Sequence, residues 1–567
     1  MIFSKKFEPS WTENQPPKGS YRSIFKWGAP ERFKHPNARL YNMLKEVFGM
    51  TDNDFVKKVK EGNEQVCLPS DKKSLRVLTE EDLKSFISIL GKENVETDDF
   101  SRVKFSSGKT VEEALELRDG CPVDVSDAVL HPRTKEDVQK VITYCSEHKI
   151  PVYVFGGGSS VNLGLRPSRG GITLVMSTHM KRLIELNEEN QTATVEAGMM
   201  GPDFEKLLNK APEKLSARRR YTCGHFPQSF EYSSVGGWVA ALGSGQSSTY
   251  YGDACDLVIS QEYVTPAGTF KTVDYPATAT GPNINWIMMG SEGCFGVLTS
   301  VTMKIFRHMP ENRKRFGYIF PDWDKAVSAT REISQGEFGL PSVLRISDAE
   351  ETDVALKLYG VEGTVLDKMM ELKGFEKGRR CLCIGHTEGE KGLSSHVKRK
   401  LSKIARANGG MTLTGYPTSK WEHGRFNDPY MREDLNDYDI IIDTLETSVK
   451  WDNLHHVHKS VREFIKKRPA TVCMTHCSHF YPQGTNLYFI FIGRFSSMQE
   501  YKNFQTGIIE RINASGGSLS HHHGVGKMIG PWMESHLGKE QIDILKALKR
   551  HFDPENIMNP GGQMSIT

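Results

Sequence analysis

VYVFGGGSSVNLGL, residues 152 to 165, sets an apolar strand pattern directly against three consecutive glycines. Val152 to Phe155 follow Pro151 and read as a short buried strand. Glycines placed there let the backbone turn with positive φ and let successive amides point into one concavity, which suits a phosphate or pyrophosphate. The loop matches neither common nucleotide fingerprint. No Gly-Lys-Ser/Thr follows, and Val161 stands where GxGxxG needs its third glycine. For this loop alone, a tight turn holding no ligand is the alternative.

Outward from the loop, Lys135 to His148 carries Val138, Val141, Ile142 and Cys145 at the spacing of one helical face. Strands are expected at Ile172 to Met176, Thr192 to Glu196, Leu257 to Val264, Thr269 to Val273 and Val301 to Ile305, with a helix at Asp203 to Leu208. This is a mixed α+β domain over residues 121–309. Upstream, residues 1–120 are polar and mostly helical in pattern, with helices at Ala38 to Phe48 and Glu80 to Leu90 and nothing catalytic. Beyond Pro310 strands recur at Ser342 to Ile346 and Cys381 to His386, and in a hairpin spanning Thr471 to Ile492. Amphipathic helices at Leu393 to Ala407, Asn453 to Lys467 and Tyr501 to Ile512 would cover that second sheet over residues 310–515. Residues 516–567 close the chain, with a helix at Gln541 to Phe552.

A chain of 567 residues is too long for one core, so two or three domains are expected. Its 73 basic and 70 acidic residues leave a net charge of +3 without a basic tract, which argues against nucleic acid. The longest apolar runs fall far short of the roughly 20 residues that span a bilayer. No secretory signal is legible at the start, and the ending SIT is not a peroxisomal address of the SKL type. The ten cysteines are scattered and are expected as reduced thiols.

Two further clusters of small residues follow the first: GHFPQSFEYSSVGGWVAALGSGQSSTYYGD at 224–253 and GSEGCFGVLTSVTMKIF at 290–306. Three segments offering amides and hydroxyls suit one extended anionic ligand better than they suit packing, which bulky side chains serve. SLSHHHGVGK, 518–527, adds three consecutive histidines. In an extended segment neighbouring side chains point to opposite faces, so at most His521 and His523 would share one. With no CxxC pair in the chain, no metal is expected. A solvated loop and a proton-handling catalytic loop remain.

These clusters, in this order, resemble the FAD-binding domain of the vanillyl-alcohol oxidase and p-cresol methylhydroxylase flavoproteins, and FDPENIMNPGG at 552–562 looks like that family's ending. Within the family the chain is similar to the synthases that make the ether bond of ether phospholipids. The carrying pieces are GHFPQSFEYSSVGGW, YMREDL, LETSVKWD at 445–452, NLYF at 486–489 and NASGGSLSHHHGVGK at 513–527, and the likeness runs from about Gly108 onward. It implies an α+β fold: a two-subdomain PCMH-type FAD-binding domain, an α+β substrate or cap domain, and helical N- and C-terminal parts.

By resemblance, FAD is held without a covalent bond by Val154, Phe155, Gly156, Gly157, Gly158, Ser159 and Ser160; by Gln228, Ser229, Phe230, Glu231, Tyr232, Ser233 and Ser234; by Ala241, Leu242, Gly243 and Ser244; and by Glu292, Gly293, Cys294, Phe295, Gly296, Val297 and Leu298. The implied reaction exchanges the acyl chain of acyl-dihydroxyacetone phosphate for a fatty alcohol, with the flavin holding the dihydroxyacetone carbon and no net redox. Tyr488 matches the proton-abstracting tyrosine, a plausible base only where neighbouring cations lower its pKa. Arg432 matches a substrate-binding arginine, and Arg345 an arginine important for activity, against a structural pairing with Asp348. His521, His522 and His523 match the active-site histidine loop, and Lys527 is expected to add positive field for a phosphate. One departure is His476 and His479, an HxxH absent from the animal enzymes. The rival reading is an FAD-dependent dehydrogenase for D-lactate or another 2-hydroxy acid. The likeness also implies a homodimer, peripheral membrane contact, and a peroxisomal location in a eukaryote or a cytoplasmic one otherwise.

Overall fold

The computed structural model describes residues 27, 38–55, 68, 72, 74–119, 122 and 124–563. The chain forms two compact units, one of residues 1–63 with 309–521, the other of residues 64–308 with 522–567. The two helices expected within residues 1–120 fall in different units. The reason lies in their apolar faces. Ala38–Phe48 buries Leu40, Met43 and Leu44 among Leu435, Ile440 and Val472 of the first unit. Glu80–Leu90 buries Phe86 and Leu90 among Val138, Val141 and Ile142 of the second. Each buried aliphatic side chain contributes roughly 1.5–3 kcal/mol, enough to decide which core a short helix joins.

Among the described residues, the unit containing the glycine loop has three sheets. Val95–Glu96 (β1), Ala128–Leu130 (β2), Val152–Phe155 (β3) and Ile172–Val175 (β4) form a four-stranded sheet in the order β1-β2-β4-β3, parallel except for β1. Helix Lys135–His148 packs on it with the predicted face. Thr134 caps its start by accepting from Asp137, and Lys149 ends it with φ of 54°. Leu183–Asn187 (β5), Thr192–Glu196 (β6), Val258–Thr265 (β8), Gly268–Lys271 (β9) and Val297–Lys304 (β10) form an antiparallel sheet ordered β5-β6-β10-β8-β9. Tyr221–Thr222 (β7) pairs with Phe306–Arg307 (β11).

The other unit is built on one large antiparallel sheet. Lys314–Phe320 (β12), Val343–Ser347 (β13), Cys381–Thr387 (β14), Met411–Thr412 (β15), Ile441–Lys450 (β16), Val472–Cys477 (β17) and Gly484–Gly493 (β19) run in the order β15-β12-β14-β13-β17-β19-β16, and Phe480–Tyr481 (β18) pairs with β19. Sequence periodicity missed β12 and β16. The first opens on Lys314 and Arg315, and the second buries Asp443, Glu446 and Thr447 among its aliphatics, which hides the strand pattern. Among the described residues no helix is long and apolar enough to cross a membrane.

Candidate active site

The glycine loop closes tightly on its neighbours. A Cβ at Gly157 would lie 2.1 Å from the Tyr232 carbonyl oxygen and one at Gly156 would lie 2.3 Å from Ser234 Oγ, while Gly158 has φ of 72°. Only glycine permits this approach of segment 228–234 to the loop. Among the described residues the amides from Gly156 to Ser160 have no acceptor, so the nest they form is open to an anion. Ser234 caps the helix Val235–Ala240, its Oγ accepting from Gly237. Close by, His225 is fully buried with neither ring nitrogen bonded, and burial lowers its pKa to about 4, which keeps the imidazole neutral. Unsatisfied amides and an orphaned buried imidazole fit a dinucleotide-sized ligand with a pyrophosphate.

The third glycine cluster holds the histidine loop. The Glu292 carboxylate accepts from the amides of Val525 (2.6 Å) and Gly526 (2.7 Å), and from Asn162 Nδ2 at 3.2 Å. Asn162 also donates to the His523 carbonyl at 2.9 Å. Burial raises the Glu292 pKa to about 7 against the pull of those amides. Cys294, Phe295 and Val297, assigned by resemblance to the cofactor, have their side chains in the core. The C-terminal NPGG segment buttresses this region. Val152 donates to Ile557, Asn559 donates back to Val152, and Asn559 Nδ2 donates to the Glu292 carbonyl.

In the other unit, three motifs that lie far apart in sequence converge. Tyr488 on β19 stands in register with Glu446 on β16 and with His476 on β17. Glu446 accepts from Ser520 Oγ at 2.8 Å and from the His521 amide at 2.6 Å, and Thr447 Oγ1 donates to the Ser518 carbonyl. The Tyr488 hydroxyl donates to Thr444 Oγ1 at 3.1 Å. Tyr481 Oη and His521 Nε2 are 2.7 Å apart, and the His479 ring lies 5.0 Å from that of His521. Sequence reasoning assigned Tyr488 and His521 but missed Glu446, Tyr481 and, in the other unit, Asn162 and His225.

Several expectations change. The histidines are not in an extended strand. Residues 521–523 form bends, Gly524 and Gly526 take φ of 82° and 53°, and the His522 and His523 rings touch with centroids 4.7 Å apart. The neighbours of Tyr488 do not bring its pKa down. Burial pushes its pKa up to about 12 with Glu446 and Asp443 adding to the rise, while Thr444 and Arg432 oppose it. Lys527 does not present a free ammonium, because it is half-buried, donates to Asn559 Oδ1 at 3.0 Å and has its pKa lowered to about 8 by desolvation. Arg345 pairs with Glu351 rather than Asp348, which instead takes Arg462 and His458. Arg432 is not a surface residue. Its side chain is 12% exposed, it donates to Glu433 at 2.7 Å, and its Nε has no acceptor among the described residues.

The FAD binding domain family matches residues 126–274, and the C-terminal domain family of FAD linked oxidases matches residues 309–562. The alkyldihydroxyacetonephosphate synthase of Dictyostelium discoideum is 30% identical over 488 residues, which covers 82% of this chain and 78% of that protein. The chain belongs to the alkyldihydroxyacetonephosphate synthase family. A solved structure of an alkyldihydroxyacetonephosphate synthase superposes with a TM-score of 0.79 at 25% identity, covering 95% of this chain and 98% of the other. The family makes the chain an FAD-using enzyme, and the glycine nest and the orphaned His225 both lie within the residues that the FAD binding domain family matches. The 2-hydroxy acid reading has a more distant counterpart, a mitochondrial D-lactate dehydrogenase (cytochrome) of Kluyveromyces lactis, 24% identical over 76% of this chain and 73% of that protein. Fold class and flavin thus agree with the expectation from the glycine clusters.

Proposed function

We propose that the enzyme is an alkyldihydroxyacetonephosphate synthase, exchanging the acyl chain of acyl-dihydroxyacetone phosphate for a fatty alcohol. The bond between the dihydroxyacetone carbon and the carboxylate oxygen breaks, a bond from that carbon to the alcohol oxygen forms, and the fatty acid and the alcohol's proton depart. The observation that carries this is the joining of Tyr488 to the histidine loop through Glu446, which binds the Ser520 hydroxyl and the His521 amide. Tyr488 takes a proton from the reacting carbon and returns one, and the histidines stabilise the alkoxide. Arg432 grips the phosphate, for which its unpaired Nε is ready. FAD, when bound, supplies electrophilic chemistry at the dihydroxyacetone carbon with no net change of oxidation state.

No histidine lies in the first glycine loop, which supports a noncovalent cofactor; acid precipitation should leave flavin in the supernatant, and a yellow pellet would overturn this. Incubation with palmitoyl-dihydroxyacetone phosphate and labelled hexadecanol should give labelled ether product and free palmitate in equal amounts. No ether product, together with anaerobic bleaching of the flavin by D-lactate, would select the dehydrogenase instead. Two long apolar chains as reactants favour peripheral membrane contact, and the family favours a homodimer and, in a eukaryote, a peroxisomal location.

A further inference from the structure

The segment HCSHFY, residues 476–481, has no role in the reading above, yet it touches Tyr488, to which that reading gives proton transfer, and His521, one of the histidines to which it gives the alkoxide. His476, 6% exposed, is the β17 partner of Tyr488, and the two rings stack with centroids 4.9 Å apart at 20°. Its Nδ1 is 3.1 Å from Glu351 Oε2 and 3.1 Å from Arg345 Nη2, so a buried ion pair fixes the plane of the imidazole. Beyond β17, Asn486 Oδ1 accepts from the amides of Ser478 and His479, which turns the chain into β18. The turn brings Tyr481 Oη to 2.7 Å from His521 Nε2.

We propose that residues 476–481 form a positioning element for the exchange reaction, in which Tyr481 fixes the tautomer of His521 and His476 fixes the ring and proton of Tyr488. Between a phenol and a neutral imidazole, the phenol O–H is the more acidic donor and the bare ring nitrogen the more basic acceptor, so Tyr481 is the donor. With Tyr481 donating to Nε2, the proton of His521 resides on Nδ1, and Nε2 is withdrawn from other acceptor duty. An imidazole whose second nitrogen is held by a partner has one orientation and one basic site, as in other histidines held by a neighbouring side chain. His476 acts by charge as well as by contact. Burial and Arg345 both lower its pKa, and Glu351 opposes them. Burial and Arg345 thus hold the ring stacked on Tyr488 toward its neutral form. The charged and titratable groups facing the pair are Arg345, Glu351 and Asp348 on the His476 side, and Glu446, Asp443 and Arg432 on the Tyr488 side.

The inference rests on the exchange reading, so wild-type exchange is measured first. In Tyr481→Phe, kcat should fall roughly 10–100-fold with KM for the acyl substrate changed less than about threefold, the mark of a lost transition-state interaction. His476→Asn should move a limb of the pH–rate profile, whereas His476→Phe, which keeps a stacked ring, should recover part of the lost kcat. Wild-type kcat and pH profile in Tyr481→Phe and His476→Asn, with only the melting temperature lowered, would reduce the segment to packing. A turnover-independent readout is the imidazole ¹⁵N shifts of His521, assigned with His521→Asn. They should report protonation on Nδ1 in the wild type and a mixture in Tyr481→Phe. If the wild type exchanges no alcohol, the function fails and this spectrum still decides the tautomer claim; identical shifts in both proteins would sink it.

Discussion

Tyr488→Phe is expected to reduce alkyl exchange by about 10²–10⁴-fold, the span associated with removing a general acid or base. The replacement deletes one hydroxyl. It leaves the β16–β19 register and the stack on His476 intact, and the lost hydrogen bond to Thr444 is worth about 1 kcal/mol. Flavin content and the melting temperature should therefore stay close to wild type while kcat collapses. The pH dependence has a definite sign. The phenol's pKa is pushed up to about 12, chiefly by burial, so the fraction able to take a proton rises with pH across the accessible range. Exchange limited by proton abstraction should climb toward alkaline pH, and Glu446→Gln, which removes one of the acidic neighbours, should lower the pH at which it climbs. A Tyr488→Phe variant with more than about a tenth of wild-type kcat would remove Tyr488 from the chemistry.

The second large effect is at Arg432. Arg432→Ala should raise KM for acyl-dihydroxyacetone phosphate by roughly 10–100-fold, the worth of one or two charge-assisted hydrogen bonds. It should also lower stability by about 3 kcal/mol, because the buried carboxylate of Glu433 loses its cation. Arg432→Lys separates the two effects. A lysine keeps a positive charge near Glu433 and so restores most of the stability, but it lacks the planar fork and should leave KM raised. Equal recovery of KM and melting temperature by lysine would mean that Arg432 holds Glu433 rather than substrate. Binding of the substrate's phosphate can be read directly by calorimetry on the FAD-loaded protein.

The parts of the fold that the sequence announces are those where one physical signal dominates. Lys135–His148 has a clean apolar face and a threonine cap, and β3 is a continuous apolar run before glycines. In β16 that signal is confounded, because Asp443 and Glu446 are buried among its aliphatics. Asp443 accepts from Tyr501 and Gln505, while Glu446 accepts from the histidine loop. The residues that hide the strand from a periodicity reading are thus among those that build the site. Motif resemblance proposed Tyr488, Arg432 and the three histidines, each within a short distinctive string. It was silent on what holds them, because Glu446, Tyr481 and Asn162 become neighbours of those residues only through register and chain reversal. The reading of the triplet as an extended segment failed on Gly524 and Gly526, whose positive φ values bend the chain.

The histidine triplet is also where the chain passes from one compact unit to the other, between His521 and His522. His521 is tied through its amide to Glu446 in one unit, and the stretch just after His523 is tied to Glu292 in the other. Neither unit, expressed or inherited alone, would carry the whole loop. Recombination between relatives that exchanges one unit must therefore place its junction outside residues 520–526, or it pairs a histidine with a foreign anchor. For protein engineers this makes the loop a poor graft and a good selection marker. A chimera that retains exchange activity reports that both anchors came with it.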